Sequence, residues 1–439
     1  MRLASRGKRT SFNWNPAWGS KPRRQVTPYI WPPTLIARQA GSALAISLLT
    51  KWAGLPRWIV RYGVRCLPGA AGSRGMGCIG FPSHPVWEMT RACNLSCIHC
   101  HASGGGADAD ELDTREGKDL LDQLAGIREF RMMAFTGGEP LLRDDLFELL
   151  AHSRALGFTN TLATNATLID DASARELRRC GVVIGAISLD GFDAETHDRV
   201  RGQPGAFEKT LRGARALRRA GIVLHVNITA MSYNLNQIRP LTELVDELGT
   251  GILLMYQLVP VGRGRAIDDA ALSRSENERL VRFLAEAQRQ SQAIIEPVAA
   301  PQYWAYLLQE SGIHRGVRLR IAESLIHGCA AGRGFVYVKP NGDVWACPFL
   351  EESAGNVRDT PFRDTWESSP LFTALREREA KLEGRCGPCE YNRVCGGCRS
   401  RAHAVTGRVL AEDPSCFLEQ GAADDQSWES DKGDDEKAA

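Results

Sequence analysis

Between Pro85 and about Val261 short apolar runs alternate with longer amphipathic segments. Val86–Thr90, Met132–Thr136, Phe158–Ala163, Val182–Leu189, Ile222–Ala230 and Ile252–Leu258 have the length and the Val, Ile, Phe and Thr content of strands. Thr114–Ile127, Arg143–Leu156, Asp171–Cys180, Ala206–Ala220 and Asn236–Leu248 fall between them and read as helices. Strand–helix alternation of this kind predicts an α/β fold, a parallel sheet with crossover helices. Farther on, Phe335/Tyr337 and Val344/Ala346 alternate on either side of Pro340-Asn341-Gly342-Asp343, the pattern of a β-hairpin.

The two ends of the chain read differently. Residues 1–24 are basic and polar, and Leu35 to Cys66 is rich in Ala, Leu, Ile and Trp. The apolar part starts too late for a secretory signal, and no clear cleavage site comes after it. Its longest uncharged stretch, Gln39 to Thr50, is too short to span a bilayer, and Lys51, Arg57, Arg61 and Arg65 interrupt the residues beyond it, so no transmembrane segment is expected. One or two amphipathic helices packed on the rest of the protein are expected in residues 1–84, with a membrane-surface or partner contact as the other reading. Cys66 and Cys78 lack metal-like spacing and read as structural. From Glu419 the chain is acidic and nearly free of aliphatics, the composition of a disordered tail or, alternatively, an acidic docking segment.

At 439 residues the chain accommodates one large domain and a smaller one, and 43% hydrophobic with 24% charged residues is ordinary for a soluble globular protein. A net charge of +2 carries no strong field, so no nucleic-acid partner is expected. The 13 cysteines matter more. Most stand in C-x2-C and C-x3-C groups, which argues for metal in a reducing, cytoplasmic compartment rather than for disulfides.

Cys93, Cys97 and Cys100 form C-x3-C-x2-C directly after the first strand. A [4Fe–4S] cube normally takes four thiolates, so three on one loop leave one iron open to another ligand. Structural zinc is ordinarily closed by four protein ligands, and this loop offers three thiols with His99 and His101 beside them. Phe135-Thr136-Gly137-Gly138-Glu139-Pro140 stands at the end of the second strand.

With these two motifs the chain resembles the radical S-adenosylmethionine (SAM) superfamily. The resemblance implies a partial (β/α)6 TIM-type barrel with its chemistry at the C-terminal ends of the strands. It implies a cluster on Cys93, Cys97 and Cys100 whose open iron chelates SAM and cleaves it reductively to methionine and a 5′-deoxyadenosyl radical. Gly137, Gly138, Glu139 and Pro140 would form the SAM-binding turn, the glycines allowing close backbone approach to the ligand and Glu139 receiving the methionine ammonium. Ser188-Leu189-Asp190-Gly191 resembles the fourth-strand motif, and Arg201 falls where relatives contact the SAM carboxylate; Ser188 and Arg201 would supply a hydroxyl and a forked cation. A plain turn with a surface arginine is the alternative. Asn165 and Asn227 would point from strand ends into the same cavity. His99 takes the place of an aromatic residue and is not assigned to metal. No catalytic residue in the acid–base sense is assigned, since no Ser/His/Asp or Cys/His arrangement has a persuasive spacing.

A second constellation, Cys329, Cys347, Cys386-x2-Cys389-x5-Cys395-x2-Cys398 and Cys416, resembles the SPASM extension, which carries auxiliary [4Fe–4S] clusters. By that resemblance Cys386, Cys389, Cys395 and Cys416 ligate one cluster, and Cys329, Cys347 and Cys398 hold another with an open site or none at all. Taken by themselves these pairs equally suit structural zinc. Cys180 reads as a small buried hydrophobe. The implied organisation is a helical extension over 1–84, a radical SAM partial barrel over 85–310, a small cysteine-rich SPASM domain over 311–418 and a disordered tail over 419–439. Segments such as Gly355-Asn356-Val357-Arg358, Cys395-Gly396-Gly397-Cys398-Arg399 and Glu412-Asp413-Pro414-Ser415-Cys416 resemble enzymes that trim tetrapyrrole side chains in haem and haem d1 synthesis. Arg263, Arg265 and Arg333 would meet substrate carboxylates, or serve as structural charges. A maturase of ribosomally made peptides is the alternative, and a zinc-binding scaffold without activity the remote one. A ferredoxin- or flavodoxin-type low-potential donor would supply electrons.

Overall fold

The computed structural model describes residues 84–418 apart from 128, 129, 131, 289, 290, 292, 326 and 327. The readings for the extension up to residue 83, Cys66, Cys78 and the acidic tail lie outside the described residues.

Strand and helix alternate as the hydrophobic pattern requires. β1 (His84–Glu88), α1 (Thr114–Ala125), β2 (Met132–Thr136), α2 (Leu146–Ala155), β3 (Thr159–Thr164), α3 (Asp171–Arg179) and β4 (Val182–Ser188) lead to α4 (Ala194–Arg201), α5 (Ala206–Arg219), β5 (Val223–Ala230), α6 (Ile238–Glu247) and β6 (Ile252–Gln257). α7 (Arg274–Ala287), β7 (Ile294–Val298), α8 (Gln302–Glu310) and α9 (Val317–Leu325) come next, then a β8 (Phe335–Val338), β9 (Asp343–Trp345), β10 (Ser353–Asn356) meander and the helices α10 (Phe362–Ser368), α11 (Pro370–Arg376) and α12 (Arg399–Thr406). Helix starts obey local chemistry: Asp113 and Glu116 close a capping box on α1, as Asp170 and Ser173 do on α3 and Ser273 and Glu276 on α7.

The strands form one sheet in the order β10-β9-β8-β1-β2-β3-β4-β5-β6-β7, parallel from β1 to β7. This is the partial TIM-type barrel that the resemblance implied, with three differences. The sheet has a seventh parallel strand, β7, whose Pro297 disguises it; proline is tolerated there because β7 is an edge. The short helix α4 is too polar (Ala-Glu-Thr-His-Asp-Arg-Val-Arg) to announce itself and is started by Asp193, whose side chain accepts from the Thr196 amide. The hairpin belongs to the same sheet, since β8 pairs in parallel with β1, His84 opposite Phe335 and Val86 opposite Tyr337. His84, counted with the extension, is the first residue of that strand.

Alternation decides what faces inward. On β5 Leu224, Val226 and Ile228 are buried among apolar side chains, whereas His225, Asn227 and Thr229 line the barrel cavity. The same period places Val86, Ala134, Thr161, Ala163, Ala186, Ser188, Leu254, Tyr256 and Tyr337 on the cavity wall. Cys180 is buried at the end of α3, as its sequence context suggested.

Candidate functional site

The loop carrying Cys93, Cys97 and Cys100 is clamped from several sides. Cys93 N donates to Gly105 O and Gly105 N to Arg91 O, both at 2.8 Å, which closes the loop on itself. Arg263, beyond β6, donates from Nε to Cys97 O at 2.9 Å, from Nη1 to Gly104 O at 2.5 Å and from its amide to Cys100 O at 2.9 Å. Gly202 ends α4 in the left-handed region (φ 67°), where a β-carbon would stand 2.5 Å from Ser96 O. The role of Arg263 as a loop clamp escaped sequence reading, because its partners are backbone carbonyls more than 150 residues away.

The Gly137-Gly138-Glu139-Pro140 turn packs on the same loop. Gly138 N donates to Thr90 O at 2.7 Å and Glu139 N to Ala92 O at 2.8 Å. A β-carbon at Gly138 would lie 2.3 Å from Ala92 O, and one at Gly137 would lie 2.7 Å from Thr90 O. The glycines therefore admit the cysteine loop's own backbone. Glu139 is wholly buried beside the cavity-lining Thr164 and Asn165. Its carboxylate accepts from Thr164 Oγ1 at 2.8 and 2.9 Å, from Asn165 N at 2.8 Å and from Leu141 N at 3.2 Å. Burial pushes its pKa up to about 7 against those donors. In this geometry it braces the end of β3. Asn165 in turn donates to Asn94 Oδ1 at 2.8 Å, which joins β3 to the cysteine loop.

Asp190 and Arg201 form a buried ion pair at 2.6 Å. Arg201 also points Nη1 at Cys97 Sγ, 3.6 Å away. Asp190 accepts from Thr229 N at 2.7 Å and lies 3.5 Å from His99 Nε2. Burial opposes its ionisation, but Arg201 and the Thr229 amide hold the carboxyl below the usual range. Part of the Arg201 fork is thus taken by Asp190 while Nε has no partner, and Ser188 also stands on the cavity wall. Burial takes His99 down to about 4 and His101 to about 3, so both rings are neutral. His101 reaches Tyr337 OH at 3.3 Å; that hydroxyl donates to Glu88 Oε2 at 3.0 Å, which also receives Lys339 Nζ at 2.7 Å. A glutamate inside the otherwise apolar run of β1 was the sequence signal for this network.

The seven C-terminal cysteines separate into two neighbourhoods. Burial pushes the Cys347 thiol up to about 12, with Cys329 and Cys398 adding to the rise. Cys395 is raised by burial with Cys416, Cys386 and Cys389 around it. These are the two sets that the resemblance to the SPASM extension implied. Among the described residues no three His, Cys, Asp or Glu side chains close round a point that one ion would occupy. Arg265 pairs with Glu351 at the surface and Arg333 with Glu379 at 2.5 Å in the interior. Both act as structural charges here, which leaves Arg263 as the cavity-lining member of the three.

One cavity of about 280 Å³ is lined by Cys93, Cys97, Cys100, Gly137, Gly138, Asn165, Ser188, Arg201, Asn227 and Arg263. A second, of about 230 Å³, is lined by Cys329, Cys347 and Cys398. They share His84, Leu254, Tyr256, Phe335, Pro348 and Phe349, so one largely apolar chamber runs between two sets of thiols. His99 Nδ1, Arg201 Nε, Arg263 Nη2 and Asn227 Oδ1 are buried on its walls without a hydrogen-bond partner. Thiols at one end with unmatched donors and an acceptor beside them fit a thiolate-held cluster and a charged amino-acid ligand. Cys93, raised to about 11 by burial, would release its proton to metal.

Comparison with known proteins agrees with this geometry. Residues 87–245 match the radical SAM superfamily, and residues 329–398 match an iron–sulfur cluster-binding domain, SPASM. The AdoMet-dependent heme synthase of Methanosarcina barkeri is 40% identical over 340 residues, covering 76% of this chain and 96% of that protein. A mycofactocin maturase of Mycobacterium ulcerans is 32% identical over 358 residues, covering 77% and 88%. Among solved structures, SuiB of Streptococcus suis bound to precursor peptide SuiA superposes with a TM-score of 0.62 at 20% identity, over 77% of each chain, a likeness of fold.

Proposed function

The chain belongs to the radical SAM superfamily and carries the SPASM extension, and from that premise we propose that it modifies carboxylate-bearing side chains of a tetrapyrrole in haem-type synthesis. It is an iron–sulfur enzyme whose cofactors are a [4Fe–4S] cluster that binds SAM, SAM itself and auxiliary clusters. The cluster, when bound, supplies the electron that cleaves SAM and so generates the hydrogen-abstracting 5′-deoxyadenosyl radical.

The residues arrange that chemistry. Cys93, Cys97 and Cys100 hold the cluster at one end of the chamber, with Arg201 beside Cys97 to favour its thiolate. Gly137, Gly138, Glu139 and Pro140 would form the turn that holds SAM. Ser188, Asn165 and the Asp190–Arg201 pair would contact it from the cavity wall. Cys386, Cys389, Cys395 and Cys416 would hold one auxiliary cluster; Cys329, Cys347 and Cys398, three thiols on one cavity, would hold a second. Arg263, with one partnerless nitrogen on the wall, is placed to receive an anionic group. The apolar stretch between the thiol sets excludes water from the radical.

The observation that carries the reading is the chamber with thiols at both ends, and the heme synthase relative, matched over nearly its whole length, supports the tetrapyrrole. The mycofactocin maturase relative favours a second reading, maturation of a peptide by decarboxylation or crosslinking. A ferredoxin- or flavodoxin-type protein is the proposed electron donor, and a reducing, cytoplasmic compartment suits the free thiols of the described residues. No helix of the described residues is long and apolar enough to cross a membrane.

The test is an anaerobic turnover with reductant, SAM and a decarboxylated sirohaem, read by mass spectrometry. Loss of mass on the tetrapyrrole, with one 5′-deoxyadenosine per event, is the expected result. Deoxyadenosine formed while the tetrapyrrole stays intact would move the assignment to a peptide.

A further inference from the structure

The cysteine-rich region buries more positive than negative charge. Arg333, Arg378, Arg399 and Arg401 are all buried. Two carboxylates meet them: Glu379 pairs with Arg333 at 2.5 Å, and Asp413 with Arg401 at 3.3 Å. Arg399 is satisfied by carbonyls, with Nη1 donating to Ala411 O at 2.6 Å and Val409 O at 2.9 Å and Nε to Gly397 O at 3.4 Å.

Arg378, like Arg399, meets no carboxylate, and it keeps two nitrogens without a partner. It is 0% exposed. Its Nη1 donates to Cys329 O at 2.5 Å, while Nε and Nη2 have no hydrogen-bond partner. These two nitrogens lie against the turn that carries Cys395 and Cys398: a β-carbon at Gly396 would stand 3.0 Å from Nε and 3.3 Å from Nη2. The charged groups around it are Cys329, Arg333, Glu379 and Arg399, and Glu379 is already engaged by Arg333. A guanidinium keeps its charge at neutral pH anywhere in a protein. A buried charge without a counter-ion is strongly unfavourable, so an anion must stand close to it in the working protein. The thiols of Cys329, Cys347 and Cys398 line the adjoining cavity, and Arg378 already bonds the backbone of Cys329.

We propose that Arg378 is the counter-charge of the auxiliary cluster at Cys329, Cys347 and Cys398, and that it raises the reduction potential of that cluster. The proposal rests on the auxiliary-cluster reading above. Reduction adds one negative charge to the cluster, and a fixed cation in a dry interior stabilises the reduced form more than the oxidised one. The electron account then closes. The substrate gives a hydrogen atom to the 5′-deoxyadenosyl radical. Its carboxylate leaves as CO2 while the carbon–carbon double bond forms, which releases one electron. The oxidised auxiliary cluster takes that electron and becomes its one-electron-reduced form. Arg378 touches neither substrate nor SAM; it is a positioning residue acting through the cluster.

The experiment is an EPR-monitored redox titration of the full chain, reconstituted anaerobically, as wild type, Arg378→Gln and Arg378→Lys, with iron counted in each. One auxiliary midpoint is expected to fall in Arg378→Gln and to return most of the way in Arg378→Lys, while the midpoint of the SAM cluster stays put. Unchanged midpoints in a fully loaded Arg378→Gln protein would overturn the proposal. Should that variant lose its iron, pulsed EPR on reduced wild type labelled with 15N-arginine decides the matter. A weak nitrogen coupling on the auxiliary signal, lost in Arg378→Lys, is expected, and its absence from wild type overturns the assignment. Wild-type protein with iron only at the SAM cluster would refute the auxiliary-cluster reading and the proposal with it, and the iron count tells that failure from the others.

Discussion

Replacing Gly138 by alanine tests whether the glycine pair exists to seat the cysteine loop. The added carbon would meet Ala92 O at 2.3 Å and Arg91 O at 2.6 Å, both rigid backbone. An unstrained carbon–oxygen contact needs roughly 3.3 Å, so the turn must retreat by roughly 1 Å. That movement stretches the bonds from Gly138 N to Thr90 O (2.7 Å) and from Glu139 N to Ala92 O (2.8 Å) beyond useful length. Two hydrogen bonds at about 1 kcal/mol each, with overpacking of about 1–3 kcal/mol, give a loss of about 3–5 kcal/mol. For a domain of this size the melting temperature would fall on the order of 10 °C. Because the displaced backbone carries Cys93, the variant should also lose about four iron atoms per chain. The assay is thermal unfolding by circular dichroism together with iron analysis after anaerobic reconstitution. Gly105→Ala is the control, since nothing lies within 4 Å of a β-carbon there. A Gly138→Ala protein as stable and as iron-rich as Gly105→Ala would refute the reasoning.

Three further outcomes are expected from the buried charges and thiols. Glu139 has a folded pKa raised to about 7, so its contribution to stability is complete below about 4.5 and is lost as pH rises through 7; melting curves from pH 5 to 8 should decline for wild type relative to Glu139→Gln, and parallel curves would count against its burial. Asp190 has a depressed folded pKa, so its contribution is present above the ordinary carboxylate range and fades in acid; Arg201→Gln leaves it buried and unpaired, which should destabilise by about 3–5 kcal/mol and make the variant lose stability as pH rises toward 7, the opposite slope, read by urea unfolding at pH 4 and 7. Cys93→Ala should abolish 5′-deoxyadenosine formation, whereas Cys395→Ala should lose about four irons and still cleave SAM, as chromatography and iron analysis would show; equal loss of cleavage in both would contradict separate roles for the two cysteine sets.

The sequence by itself determined the features that neighbours along the chain decide. β2 begins and ends where its apolar run does, and β3 to β6 differ from theirs by a residue or so, because a strand buried by helices must be apolar over its own length. The C-x3-C-x2-C loop and the Gly-Gly-Glu-Pro turn were legible for the same reason: the chemistry of three thiols or of two bare backbone positions is written in consecutive residues. The tertiary structure alone decided the pairings between distant segments. It joined β8 to β1 and so brought Cys347 to the chamber that Cys100 enters; Tyr337 lies within electrostatic reach of both thiols. It gave the Glu139 carboxylate its donors at the end of β3, because two glycines with no side chains let the cysteine loop settle over that turn. It committed Arg201 to Asp190, Arg265 to Glu351 and Arg333 to Glu379, and left Arg378 without a carboxylate. An arginine reads the same in any sequence; whether it is a clamp, half of an ion pair or a solitary buried cation depends on which carboxylates and carbonyls the packed core brings within about 3 Å of it.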